Sequence, residues 1–219
     1  MSTGYPEGSF DRMDGSEDSL FYTDPRLLVH IDDEAIALVG EIFQAVLPPN
    51  PRILDLMSSW RSHLPEGFSK ASMTGLGLNS VEMRENPQLD NHVVHDLNQD
   101  PHIPFDDECF DATLLTVSVQ YLTHPVEVFQ DVARVMTEGG PLVVTFSNRM
   151  FPSKAVRIWQ ACDDKQRMAL AKTYFQKSRL FRDIVTEDRS RWMGYYTDPL
   201  FLVMGRKAAV GANQEESKS

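Results

Sequence analysis

Between Asp32 and Gly205, short apolar runs of strand length alternate with segments of helical spacing, and few folds accept that order. Strand, covering helix and strand in series make a parallel sheet wrapped by helices. Strands are expected at 53–56, 72–78, 92–97, 111–119 and 141–146. The fourth is a near-continuous apolar run, as a strand covered on both faces requires. Two further strands, 181–186 and 200–205, have little between them and suggest a closing antiparallel hairpin. The fold class is therefore α/β, a three-layer sandwich on a seven-stranded, mostly parallel sheet with an antiparallel strand near the C-terminus.

The helices have readable ends. Asp32, Asp33 and Glu34 place acids where a helix N-terminus favours them, and Ile36, Val39, Phe43 and Val46 recur on one face until Pro48-Pro49. Asn79 with Glu82 three residues on reads as a capping box. Pro125 opens a helix with the stripe Val128, Phe129, Val132, Val135 and Met136, ended by Gly139-Gly140. Residues 153–162 and 163–176 read as two more helices. The polar stretches 1–19 and 208–219 are expected to be a disordered leader and tail, leaving 20–207 as one domain.

With 42% apolar and 24% charged residues, the chain has the composition of a globular domain, and no apolar run reaches the ~18 residues of a membrane span. The formal net charge of −11 argues against a nucleic-acid partner, because a phosphate track needs a clustered basic surface. Cys109 and Cys162 lack metal spacing and suit a reducing, cytoplasmic setting; no metal site is expected.

In open parallel sheets, ligands bind beyond the carboxyl ends of the strands. There this chain carries Ser58, Ser59 and Trp60, then Asn79, then Asp96 and Asn98, then Gln120 and Tyr121. The run His95-Asp96-Leu97, Ile103-Pro104-Phe105, Cys109-Phe110-Asp111, Tyr121-Leu122-Thr123-His124-Pro125, and Ala133-Arg134-Val135-Met136 through Gly139-Gly140 to Leu142-Val143-Val144 resembles the class I S-adenosylmethionine (SAM) methyltransferases. The likeness is to the branch acting mostly on small molecules, and it extends over roughly 47–207.

That resemblance implies a Rossmann-like sandwich, SAM as cofactor and a small-molecule methyl acceptor, with a catalytically inactive binding or scaffold protein as the alternative. It places Asp55 at the methionine end of the cofactor, Asp96 at the adenine amino group and Leu97 against the ring. Met57, Ser58, Ser59 and Trp60 take the position of the glycine loop. Gly77 stands where the family has the acid that grips the ribose, and Gly75, Asn79 and Val119 complete the expected cofactor set. Glycines permit close backbone approach and positive φ at little cost, which Met57 to Trp60 do not.

Either Asn79 or Glu82 substitutes for the ribose acid, or Glu82 is only the capping partner. Trp60 either faces the sulfonium or packs under its loop. The segment 21–30 is either a lid, with Arg26 on the SAM carboxylate, or a chain entry packed on the sheet. Methyl transfer needs alignment first and a base only for weakly acidic acceptors. His30, His63, His124 and Tyr121 are the candidates for that role.

Overall fold

The computed structural model describes residues 4–209. Seven strands, β1 (Arg52–Leu56), β2 (Ser72–Gly77), β3 (Asn91–Val94), β4 (Ala112–Thr116), β5 (Pro141–Phe146), β6 (Phe181–Asp188) and β7 (Phe201–Lys207), form one sheet in the order β3-β2-β1-β4-β5-β7-β6. β7 runs antiparallel between β5 and β6, and the other pairings are parallel. The order reverses between β1 and β4, which opens a crevice at their carboxyl ends.

Helices α1 (Asp18–Phe21), α2 (Asp33–Val46), α3 (Ser80–Arg84), α4 (Pro125–Val135), α5 (Arg157–Gln160) and α6 (Asp164–Ser178) complete the chain. Asp32 caps α2 by accepting from the Ala35 N–H at 2.9 Å. The helix lays Leu38, Val39, Ile42 and Phe43 against Ile53, Met73, Leu114 and Val143 on one sheet face. The opposite face packs Phe129, Val132, Trp159, Tyr174 and Phe175 from α4, α5 and α6 over Leu54, Leu115 and Val144. Among the described residues no helix is long and apolar enough to cross a membrane.

Several boundaries differ from the sequence expectation. β3 stops at Val94, because Asp96 turns the chain by accepting from the Asn98 N–H. β4 stops at Thr116, because Val117 has φ of 51°, a strained value for a β-branched residue. Val119 thus sits in a 3₁₀ turn rather than a strand. α5 is only four residues long: Val156 is extended, bridges to Arg12 and donates its N–H to the Gln120 carbonyl. No helix covers the β1–β2 crossover, where the chain from 57 to 71 is irregular.

The expected disordered leader is folded onto the domain from residue 4. Tyr5 and Phe10 pack edge-on to each other, Tyr5 hydrogen-bonds Thr173, and Ser9 and Asp11 accept from the Ile158 and Arg157 N–H groups. Two aromatics inside a polar stretch supplied the apolar surface that composition alone hid. The expected tail lies outside the described residues from 210 onward.

Candidate active site

A cavity of about 320 Å³ opens at the carboxyl ends of β1 to β4, at the lower end of the size range of small-molecule sites. Its floor is Asp55 on β1. Asp55 is 3% exposed, and its Oδ2 accepts from the hydroxyls of Ser58 at 2.5 Å and Ser62 at 2.6 Å. Its Oδ1 takes no hydrogen bond among the described residues. Burial pushes the carboxyl up to about 6, against the two serine donors.

The sign of the resulting pH dependence is fixed. A carboxyl whose folded pKa exceeds its unfolded value of about 3.9 favours folding when protonated, and that contribution is lost as pH rises through 6. Wild-type protein should therefore lose about 2 kcal/mol relative to Asp55→Asn between pH 4.5 and 8, as read by urea unfolding. His63 is lowered to about 4 by burial and then by Arg61, and acts in the opposite sense. It is present in both proteins and cancels from the difference. Parallel stability curves would remove the buried charge from Asp55.

Met57, with φ of 55°, turns the chain after β1, a strained value that a side chain adopts where the resemblance expects glycine. The loop then folds over the end of β2. The Ser58 N–H donates to the Leu76 carbonyl at 2.8 Å, Ser59 Oγ donates to Glu82 Oε2 at 2.6 Å, and Asn86 Nδ2 donates to the Ser59 carbonyl at 2.9 Å. A Cβ at Gly77 would stand 2.3 Å from the Ser58 carbonyl oxygen. The glycine-free loop and the missing ribose acid are thus one arrangement, in which loop backbone fills the place of the acid. Gly75 is covered in the same way, by Leu89 and Ser58.

The roof is the segment from Asp18 to Ile31, here called the strap. Asn79 caps α3 through Oδ1 and donates Nδ2 to the Tyr22 carbonyl at 2.8 Å. Glu82 does not reach back to close a capping box. Its Oε1 accepts the Arg26 N–H at 2.7 Å, so one carboxylate joins strap and serine loop. Trp60 is not core: its indole N–H donates to the Leu28 carbonyl at 2.9 Å, and Arg61 stacks on its ring. Phe21 and His30 both pack edge-on to Phe151.

Of the sequence candidates, the cavity gathers Arg26, His30, Asp55, Met57, Ser58, Ser59, Trp60, His63, Gly77, Asn79, Asp96, Leu97 and Tyr121. Gly75, Val119 and His124 lie off it. Val119 is buried in the core, and His124 is exposed at the start of α4 with Nδ1 at 3.0 Å from Thr123 Oγ1. His30 is lowered by desolvation and by Arg26, so it is neutral near pH 7. Tyr121 is raised by burial, and its hydroxyl accepts the Phe151 N–H. Sequence reasoning missed Thr116 and Ser118, whose residues line the cavity with buried hydroxyls that have no partner among the described residues, and Lys154 beyond β5. Polar residues closing an apolar strand are the signal that marks Thr116 and Ser118; nothing local marks Lys154.

Residues 68–144 match the family model for a methyltransferase domain. The matched stretch is about a third of the chain and is similar to a methyltransferase domain. The match begins beyond the serine loop. No curated protein matches the sequence. Among solved structures, a chain of the Haloferax volcanii complex containing the Trm112 methyltransferase activator aligns with a TM-score of 0.62 at 12% identity, over 81% of this chain and 92% of that one. The [4+2]-cyclase SpnF aligns at 0.58 and 15% identity, over 87% and 92%. A SAM-dependent methyltransferase from Mesorhizobium loti aligns at 0.53 and 16%, over 78% and 100%.

The methyltransferase-domain match and the SAM-dependent fold neighbours indicate SAM as the cofactor. The site of this methyltransferase-fold chain fits it at two ends. Asp96 lines the cavity beside buried Leu97, and Asp55 keeps one oxygen without a partner on the floor. The orphaned Thr116 and Ser118 hydroxyls are two further groups that a polar ligand would satisfy. At Gly77, where the resemblance expects the ribose acid, the Ser58 carbonyl fills the space a side chain would need.

Proposed function

We propose that the protein is a SAM-dependent methyltransferase acting on a small molecule, chiefly by holding donor and acceptor in line. The observation that carries this is the cavity at the sheet's switch point, with carboxylates at the ends of β1 and β3. SAM supplies a methyl group already activated on a sulfonium, so the residues have to bind, align and exclude water. Asp96 would accept from the adenine amino group and Leu97 would cover the ring. Asp55 Oδ1 would accept from the methionine ammonium. The strap, tied to Asn79, Glu82 and Trp60, would close the chamber.

A second reading, a methyltransferase-fold protein that binds without transferring, is favoured by the Ser58 carbonyl over Gly77. Calorimetry decides between binding and none. Purified protein should bind SAM and S-adenosylhomocysteine, and Asp96→Ala should weaken binding by about 1–3 kcal/mol through loss of the adenine contact. Neither heat nor thermal stabilisation at millimolar ligand would overturn the cofactor assignment. An unchanged dissociation constant in folded Asp96→Ala would move the adenine away from β3. Tight binding without turnover on any acceptor would favour the second reading.

A further inference from the structure

We propose that the methyl acceptor carries a carboxylate and that Arg26 holds it. The inference rests on the methyl-transfer reading and names the substrate class of the same cavity. The Arg26 guanidinium lies among three aromatic rings, with centroid distances of 4.3 Å to Phe21, 5.3 Å to Phe151 and 5.4 Å to Tyr22. Nη2 donates to the Phe21 carbonyl at 2.9 Å, while Nη1 is buried with no partner. An orphaned donor on a charged group is costly to keep unless a bound acceptor satisfies it.

Of the other cations lining the cavity, Arg61 is exposed and stacks on the Trp60 ring without a carboxylate partner among the described residues, whereas the remaining two are paired. Lys154 is paired with Asp14 at 3.1 Å and Asp18 at 3.3 Å, and Arg149 lies 3.6 Å from Asp198. Arg26 has no carboxylate partner among the described residues; Glu82 takes its backbone N–H, not its guanidinium. A planar fork of N–H donors matches a carboxylate in a bidentate fashion. The surrounding rings, with Tyr121 stacked on Phe151, offer faces to a flat apolar body attached to that group.

Position separates this site from the cofactor's own carboxylate. Arg26 leaves the backbone above α3 and carries its guanidinium across to Phe151, beyond β5. The floor assigned to the methionine end is Asp55 and Ser58, at the end of β1. An anionic group beside Arg26 is electrostatically favourable in a cavity that also takes a sulfonium cation. His30 is neutral near pH 7 and adds no second positive charge.

The test uses the full chain saturated with S-adenosylhomocysteine. Benzoate, phenylacetate and succinate are titrated against benzamide, phenylacetamide and succinamide, by calorimetry and thermal shift. At least one carboxylate should bind tenfold or more tightly than its amide. Arg26→Gln should reduce that affinity about 10–100-fold, with Arg26→Lys in between, because lysine keeps the charge and loses the fork. S-adenosylhomocysteine affinity should change less than threefold in both variants, which also serves as the folding control. If no carboxylate outbinds its amide, the proposal falls. If Arg26→Gln weakens S-adenosylhomocysteine and spares the carboxylates, Arg26 serves the cofactor and the proposal also falls. Failure of the wild type to bind S-adenosylhomocysteine is the separate signature of a failed methyltransferase reading.

Discussion

Asp18→Ala should lower stability by about 3–5 kcal/mol, the cost of removing one member of a buried charge cluster. Asp18 is 5% exposed and accepts from Arg12 Nη1 at 2.6 and 2.7 Å and from Asn98 Nδ2 at 2.8 Å, with Lys154 Nζ at 3.3 Å. Lys154 itself is 1% exposed and would keep Asp14 and the Ser16 carbonyl, whereas Arg12 would keep no carboxylate. The strap can limit the loss by lifting to let water reach the two cations. The second outcome expected in the same experiment is therefore rapid proteolysis between residues 5 and 30 and weaker S-adenosylhomocysteine binding. Urea unfolding and limited proteolysis read both effects. An unchanged midpoint with an intact strap would show that Asp18 does not fasten it.

Placing at the end of β2 the acid that the resemblance expects should harm this protein rather than improve it. Gly77→Asp places a Cβ 2.3 Å from the Ser58 carbonyl oxygen and 3.2 Å from Met83 Sδ. The first of these is a backbone atom, held by the Ser58 N–H bond to Leu76 and by the serine bonds to Asp55 and Glu82. The expected loss is about 2–3 kcal/mol, as for overpacking a closed site. Gly77→Ala should lose nearly as much, because the collision is at Cβ and not at the carboxylate. Chemical denaturation of the two variants beside wild type measures this. A Gly77→Asp protein of wild-type stability and tighter S-adenosylhomocysteine binding would mean that the loop moves aside and that the ribose site exists in the familiar form.

The layers, the strand sequence and most helix limits were legible because they depend on local pattern. The α2 stripe from Ile36 to Val46, the Asp32 and Asn79 caps and the apolar run of β5 each report which face is buried, whatever lies across from it. The same holds for the site's rough location, since a mostly parallel sheet fixes which strand ends bind. Asp96 was found that way and Asp55 through the resemblance, and the cavity includes both.

Periodicity carries no information about which distant segments meet, and there only the tertiary structure decided. Glu82 satisfied the local signature of a capping box, yet its carboxylate goes to Ser59 and to Arg26, 23 and 56 positions away. Trp60 had two readings that its neighbours in sequence could not separate; it lines the cavity rather than the core, held there by a bond to Leu28 across 32 positions. The leader looked polar enough to stay free, but Tyr5 found Thr173 and Asp18 found Lys154. Sequence by itself determined that a cofactor-type sheet forms and where its ligand edge lies. The closed serine loop, the roof over it and the uncompensated Arg26 follow from long-range hydrogen bonds and charges, which have no period in the chain.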